Sequence, residues 1–247
     1  MEDYEDQIEG RNSVLEFLRS GKDVNRIFIQ KGEKHGSINE IYSIAKKRRI
    51  IIDEVDKSVI VKKAKTSSPQ GVIAIVPPFD YSTIDDILLY AKSCNQDPFV
   101  VILDDIEDPR NFGAIIRTCE SAGVHGIIIP KRKSVSVNST VNKASAGAVN
   151  HMRIARVTNL NESLKQLKKE GLWICGTDGE ADNFYYKQDL TGPLGIVIGS
   201  EGFGMKELVK KNCDFLVKIP MNGNVNSLNA SVAAGIVIYE AVRQRSK

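Results

Sequence analysis

The stretch Leu194-Gly195-Ile196-Val197-Ile198-Gly199-Ser200-Glu201-Gly202-Phe203-Gly204 decides the fold. Its first five residues read as a strand, and the glycines behind them read as a turn leading into a helix over 204–211. A strand that is apolar on both faces suits a parallel sheet clothed by helices, because neither face is left for water. The pattern recurs outward from this point. Phe99–Leu103, Gly126–Ile129, Leu172–Cys175 and Phe215–Ile219 read as strands, and 111–122, 159–170 and 227–245 as helices. The last of these carries Ala230, Ala233, Ala234, Val237 and Ala241 for close packing. The fold class is α/β.

Upstream, residues 14–18 and 38–45 have helical spacing, while Ile27–Ile29, Ile50–Ile52 and Val72–Val76 read as strands of a smaller α/β unit. Pro77-Pro78 ends the last of them, since proline has no N–H for the ladder. An acidic, helix-like stretch then runs to about Cys94, and Asp97-Pro98 closes it. The expected organisation is a first domain over 1–77, a linker over 78–97 and a second domain over 98–247.

The 247 residues carry a net charge of +3 with 42% hydrophobic side chains. No apolar run approaches the ~20 residues that span a bilayer, so no membrane segment is expected. Between Gly10 and Val76 there are 14 Lys+Arg against 7 Asp+Glu, a net of +7, whereas residues 77–98 hold one Lys against four Asp. Positive charge gathered in the first domain is what a phosphate backbone would select. The start Met1-Glu2-Asp3-Tyr4-Glu5-Asp6 lacks the basic and then apolar order of a secretory signal, which points to the cytoplasm. Cys94, Cys119, Cys175 and Cys213 are scattered without a Cys-x-x-Cys pair, and only three histidines are present, so neither a disulfide framework nor a zinc site is expected.

Ligands of open parallel sheets sit at the C-terminal ends of the strands. The loop there after Phe99–Leu103 is Asp104-Asp105-Ile106-Glu107-Asp108-Pro109-Arg110-Asn111-Phe112-Gly113, which is no dinucleotide-binding glycine fingerprint and argues against a Rossmann-type oxidoreductase. Asn111 at a helix start has a ready structural use as a cap, and Arg117 as a solvated helix residue. Six residues are about 1.67 turns, so the two side chains are not stacked; cooperation needs a loop or a second subunit. Gly199–Gly204 is either a tight turn and no more, or a place where backbone amides approach a ligand. Glu201 inside it disfavours a phosphate and leaves a phosphate-free cofactor. In the third segment, Ile219–Asn229, Ser227 can cap the last helix. Asn222, Asn224, Asn226 and Asn229 crowd the same loop, a costly arrangement unless their amides find partners.

In this order the three segments resemble the motifs of the SpoU/TrmH family of the SPOUT RNA methyltransferases. The likeness extends to Ile8-Glu9-Gly10-Arg11, Pro69-Gln70-Gly71-Val72, Arg156-Val157-Thr158-Asn159-Leu160 and Gly176-Thr177-Asp178-Gly179-Glu180, and so covers nearly the whole chain. It looks most like the RlmB subgroup, which methylates a guanosine 2′-hydroxyl of bacterial large-subunit ribosomal RNA. The resemblance implies a SPOUT-type parallel sheet with a C-terminal trefoil knot, a small N-terminal α/β domain similar to ribosomal protein L30e, a homodimer, S-adenosylmethionine as cofactor and 23S ribosomal RNA as partner, with no metal. General topology rules would have led to an unknotted sheet. A transfer-RNA ribose methyltransferase shares the motifs, and a catalytically silent RNA-binding protein would share the fold.

Carried over by position, Asn111 and Arg117 fall on the first motif, Glu201 on the second, and Ser227 and Asn229 on the third, as the catalytic set. Gly199, Ile219 and Leu228 fall where backbone groups hold the cofactor, with Thr177 in a loop lining the same pocket. Lys46-Lys47-Arg48-Arg49 and Lys62-Lys63-Ala64-Lys65 are the candidate RNA-phosphate contacts, or else solvated helix faces. Arg110 stands where relatives often have His, and Asn12 and Ser68-Pro69 replace histidines common in the subgroup. The resemblance gives Arg117 the task of orienting the hydroxyl, with Glu201, Ser227 and Asn229 expected to hold it. A guanidinium stays protonated below about pH 12, so a literal base role demands a large environmental shift; the expected proton acceptor is a transiently neutral arginine or else the RNA phosphate itself.

Overall fold

The computed structural model describes residues 6–32, 36–223 and 227–246. Most of the acidic start, and Asn224 and Asn226 of the crowded loop, lie outside the described residues. In chain order the first elements are β1 (Asp6–Glu9), α1 (Arg11–Arg19), β2 (Arg26–Gln30), α2 (Ser37–Lys47), β3 (Ile51–Val55), α3 (Lys57–Lys63) and β4 (Val72–Val76). There follow α4 (Ile84–Ser93), β5 (Phe99–Leu103), α5 (Pro109–Ser121), β6 (Gly126–Pro130), α6 (Ser139–Ala144), β7 (Ile154–Val157) and α7 (Leu160–Lys169). The last are β8 (Trp173–Thr177), β9 (Asn183–Phe184), β10 (Leu194–Ile198), α8 (Glu207–Asn212), β11 (Phe215–Lys218) and α9 (Ala230–Arg245).

Two compact units result, and the smaller one is built from two separate stretches of chain. It runs through Asp80 and also takes in Ser136–His151, which contains α6. Its sheet has the order β1-β4-β2-β3, with β4 antiparallel to both neighbours and β2 parallel to β3. Val14 and Leu18 of α1 and Ile38 and Ile41 of α2 close over Ile27, Ile29, Val72 and Ala74 on one face. On the other, Ile60 of α3 covers Phe28 and Ile73. Glu9 is fully buried, yet its carboxylate accepts from Gln7 Nε2 and from the backbone N–H groups of Lys65 and Thr66. With the Thr66 hydroxyl, four donors offset the cost of taking that charge out of water.

The larger unit comprises Tyr81–Val135 and Met152–Lys247. Its sheet, β7-β6-β5-β10-β8-β11-β9, is parallel at every pairing. Every residue of β5, β6 and β10 is buried, as two-sided coverage by helices requires. The stretch read as a linker holds α4, whose Thr83–Asp86 capping box fixes its start and whose Ile84 and Ile87 enter the core. α9 packs along α5.

Three helix starts differ from their sequence readings, two because of a cap and one because of a turn. α5 opens at Pro109, since Asp108 accepts the N–H of Arg110 at 2.8 Å and proline suits the first helical position. Asn111 therefore sits inside the first turn and is not the cap. α9 opens at Ala230 because Asn229, and not Ser227, takes the N–H groups of Ser231 and Val232. α8 starts at Glu207, three residues after the expected position, because Gly204 adopts φ +64 and exchanges backbone hydrogen bonds with Ser200 to close a turn first.

Candidate active site

The site lies in the larger unit, at the C-terminal ends of β5, β8, β10 and β11. β10 delivers the chain to Gly199, where a Cβ would stand 2.3 Å from the carbonyl carbon of Gly204 and 2.4 Å from the nitrogen of Met205. Only glycine permits that approach, and it folds residues 200–204 into a tight loop beside the sheet. Behind the loop is Asp104, 1% exposed at the end of β5, which accepts the backbone N–H of Lys206 at 2.8 Å. Lys206 Nζ reaches Asp105 at 2.7 Å and Asp104 at 3.4 Å. Burial by itself would lower the Lys206 pKa, but these two carboxylates outweigh it and raise it. Asp104 was not singled out in the sequence; its place directly after an all-apolar strand, first of the acids in that loop, was the available signal.

Glu201 projects from the loop and gathers the other motifs. Its Oε1 accepts from Asn111 Nδ2 at 2.7 Å, from Asn229 Nδ2 and from the Ala230 N–H at 3.2 Å. Asn229 Nδ2 also donates to Asn111 Oδ1 at 3.0 Å, while Asn229 Oδ1 caps α9. Asn111 is 8% exposed. Residues 111, 201 and 229, widely separated in the chain, thus form one hydrogen-bonded knot of side chains. The amide crowding that looked costly in the sequence is resolved, for Asn229, by this carboxylate.

Arg117 is not part of that network. It lies on the exposed side of α5 and has no hydrogen-bond or ion-pair partner among the described residues. Within one chain Glu201 and Asn229 do not reach it: their side-chain bonds join Asn111. Ser227 is exposed and makes no cap.

Two cavities flank the loop. One, of 270 Å³, is lined by Thr177, Gly199, Ile219 and Leu228 together with Asp178, Glu201, Ser227 and Ala230. All four residues expected to hold a cofactor therefore line a single space. Thr177 Oγ1 is committed to the Val197 carbonyl at 3.0 Å, which fixes the loop it begins. For Asp178, partial burial would raise the carboxyl pKa, but Lys210 Nζ at 2.8 Å and the Glu180 N–H hold it below the usual carboxylate range. A wall of backbone groups and two carboxylates suits a cationic, phosphate-free ligand, and the volume is near the ~300 Å³ at which small-molecule pockets begin. The second cavity, of 500 Å³, is lined by Asp105, Glu107, Asp108, Asn111, Lys133 and Phe203 among others, and shares Ser200, Glu201, Gly202 and Gly204 with the first.

A parallel sheet whose C-terminal loops build such a pocket places this chain among the α/β proteins that hold a small ligand at the strand ends. The sequence profile of the SpoU rRNA methylase family matches residues 98–239, and that of the RNA 2′-O ribose methyltransferase substrate-binding domain matches 7–82. The chain is 43% identical over 246 residues to YacO of Bacillus subtilis, assigned to the TrmH family of tRNA/rRNA methyltransferases, covering 100% of this chain and 98% of that one. A Staphylococcus saprophyticus protein with the same family assignment is 48% identical over 240 residues, covering 97% and 96%. Among solved structures, the SpoU methyltransferase AviRb from Streptomyces viridochromogenes in complex with AdoMet has a TM-score of 0.84 at 25% identity, covering 98% of this chain and 91% of that one. The AdoMet-bound rRNA methyltransferase from Sinorhizobium meliloti has a TM-score of 0.81 at 26% identity, covering 97% and 87%. The chain belongs to the SpoU methylase family and is an S-adenosylmethionine-dependent RNA methyltransferase.

Proposed function

We propose that this protein methylates a ribose 2′-hydroxyl, that of a guanosine in bacterial 23S ribosomal RNA, in the cytoplasm and as a homodimer. The observation that carries the reaction type is the single network joining Asn111, Glu201 and Asn229 beside a cavity lined by Thr177, Gly199, Ile219 and Leu228. Preference for ribosomal over transfer RNA rests on the matched substrate-binding region over 7–82, with the basic excess in the same part of the chain.

S-adenosylmethionine supplies an activated methyl group, and the chain supplies placement. Backbone groups at Gly199, Ile219 and Leu228 hold the cofactor, and the loop pinned by Gly199 sets their spacing. Glu201, locked by three donors, lines the cofactor cavity and would supply a carboxylate there to a cationic ligand. Asn111, fixed by Glu201 and Asn229, orients the nucleotide. Arg117 serves the site of the other subunit: it projects from the exposed side of α5, the helix along which α9 packs, and Val232 and Tyr239 of α9 remain 50% and 49% exposed, as an unpartnered face would. There its guanidinium orients the hydroxyl and the adjoining phosphate, to which the proton passes. The reading also includes the C-terminal knot, supported by the insertion of the late strand β10 between β5 and β8.

Arg117→Ala is expected to lower methyl transfer at least 100-fold and to leave S-adenosylmethionine binding within about twofold, since Arg117 acts on the hydroxyl and is not among the residues lining the cofactor cavity. Arg117→Lys separates fixed charge from guanidinium shape. Retained turnover in both variants overturns the assignment. Ribose-methylation maps of cellular RNA with and without the protein test the substrate, and an unchanged large-subunit map rejects 23S RNA.

A further inference from the structure

Phe203 stands out among the exposed apolar side chains. The other large ones retain 37–63% of their surface and so rest partly on a neighbour, whereas Phe203 is 97% exposed and buries almost nothing. It sits in the loop that the two cavities share, and its own residue lines only the larger, 500 Å³ cavity. An aromatic ring offering a free face at the mouth of a cavity is what an unstacked nucleobase binds.

The charges around that cavity discriminate between the parts of a nucleotide. Asp105, Glu107, Asp108 and Glu201 contribute four carboxylates against the ammonium groups of Lys133 and Lys206, and Lys206 is committed to Asp104 and Asp105. A phosphate is repelled by this balance. A neutral heterocycle with N–H donors is not, because carboxylates are acceptors only. Glu107 is exposed, lines the cavity and has no hydrogen-bond or ion-pair partner among the described residues, so its acceptors are available. Ser200, Glu201, Gly202 and Gly204 wall both cavities, so a base in the larger one leaves its ribose at the partition next to the cofactor cavity.

We infer that the larger cavity receives the base of the nucleotide being methylated, that Phe203 stacks on its face, and that Glu107 accepts from its N–H edge. This rests on the RNA methylation proposed above. Phe203 is a positioning residue: it touches the base and not the reacting atoms.

The test compares wild type, Phe203→Ala and Phe203→Trp with S-adenosylmethionine carrying a labelled methyl group and ribosomal RNA isolated from cells lacking the protein. Stacking on one base is large enough that Phe203→Ala should raise KM for RNA roughly tenfold or more. Phe203→Trp should return it to within about threefold of wild type, and cofactor affinity, measured by calorimetry without RNA, should be the same in all three. Equal KM values for wild type and Phe203→Ala overturn the inference, as does a tryptophan variant no better than alanine. Sedimentation provides a further arm: dissociation of the Phe203→Ala dimer means that a second copy covers the ring, and the inference fails. A wild type that binds the cofactor but methylates no RNA rejects the underlying reaction, an outcome distinct from active enzymes that ignore residue 203.

Discussion

Asn229 performs two tasks with one amide, and its substitution separates them. Its oxygen caps α9, and its nitrogen reaches Glu201 and Asn111. Asn229→Ala loses both and should destabilise the protein by about 1–2 kcal/mol, the range for a lost N-cap, read as a fall in Tm. Asn229→Ser keeps a capping oxygen but no amide donor, so it should recover most of the stability while methyl transfer stays impaired. His125 yields a prediction of another kind. It is buried, its Nδ1 accepts the Phe99 N–H at 3.0 Å, and its other nitrogen faces Gln96 Oε1 at 3.0 Å, an arrangement for the neutral ring. Burial, reinforced by the Arg245 charge, lowers its pKa from the usual 6.5. The unfolded chain then binds the proton more readily, so stability is whole above pH 6.5 and declines as the pH falls from there toward the native value. Melts at pH 7.5 and 5.5 should show the drop, and His125→Gln should show a smaller one. At this scale the sequence was generous with identities and poor in partners. Asn111, Glu201 and Asn229 could be named from their motifs, but not their mutual hydrogen bonds, because contacts between residues some 30 to 120 positions apart leave no local periodicity.

Strands of uniformly apolar residues were the most legible elements. β5 and β10 have the limits read from the chain, because burial on both faces demands apolar side chains at every position. β7 and β9 were not seen: β9 is two residues long, and β7 includes Arg156 among its four. Helix starts were misplaced wherever a cap decided them, as at Asp108 and Asn229, since several capping residue types stood within reach of each start. The Gly199 turn permits a prediction for the element as a whole. Gly199→Ala places a methyl group 2.3–2.6 Å from backbone atoms of Gly204 and Met205, which cannot yield as a flexible side chain would. Cofactor binding should fall at least tenfold with global stability reduced by about 1–3 kcal/mol, measured by calorimetry and by thermal melts. Binding that persists unchanged would mean the loop can open without loss of the pocket.

For the whole molecule, composition disclosed two α/β units and a basic first one, yet nothing in it marked residues 136–151 as part of the smaller unit. Val137, Val141, Ala144 and Ala148 there have helical spacing, but spacing does not say which unit a helix joins; its membership arises from distant contacts such as Lys143 Nζ to the Ser68 carbonyl at 2.8 Å and the packing of α6 on β1. A fragment ending at residue 80 lacks those contacts. It should melt less cooperatively and at lower temperature than the same unit within the full chain, as urea titration followed by circular dichroism would show; an equally stable fragment would mean that 136–151 contributes little. The discontinuity also bears on how such a protein can be rearranged. No single cut of the backbone releases the smaller unit intact, so recombination that exchanges whole units must splice at more than one junction, and a crossover anywhere between 81 and 135 separates the two stretches that make it up.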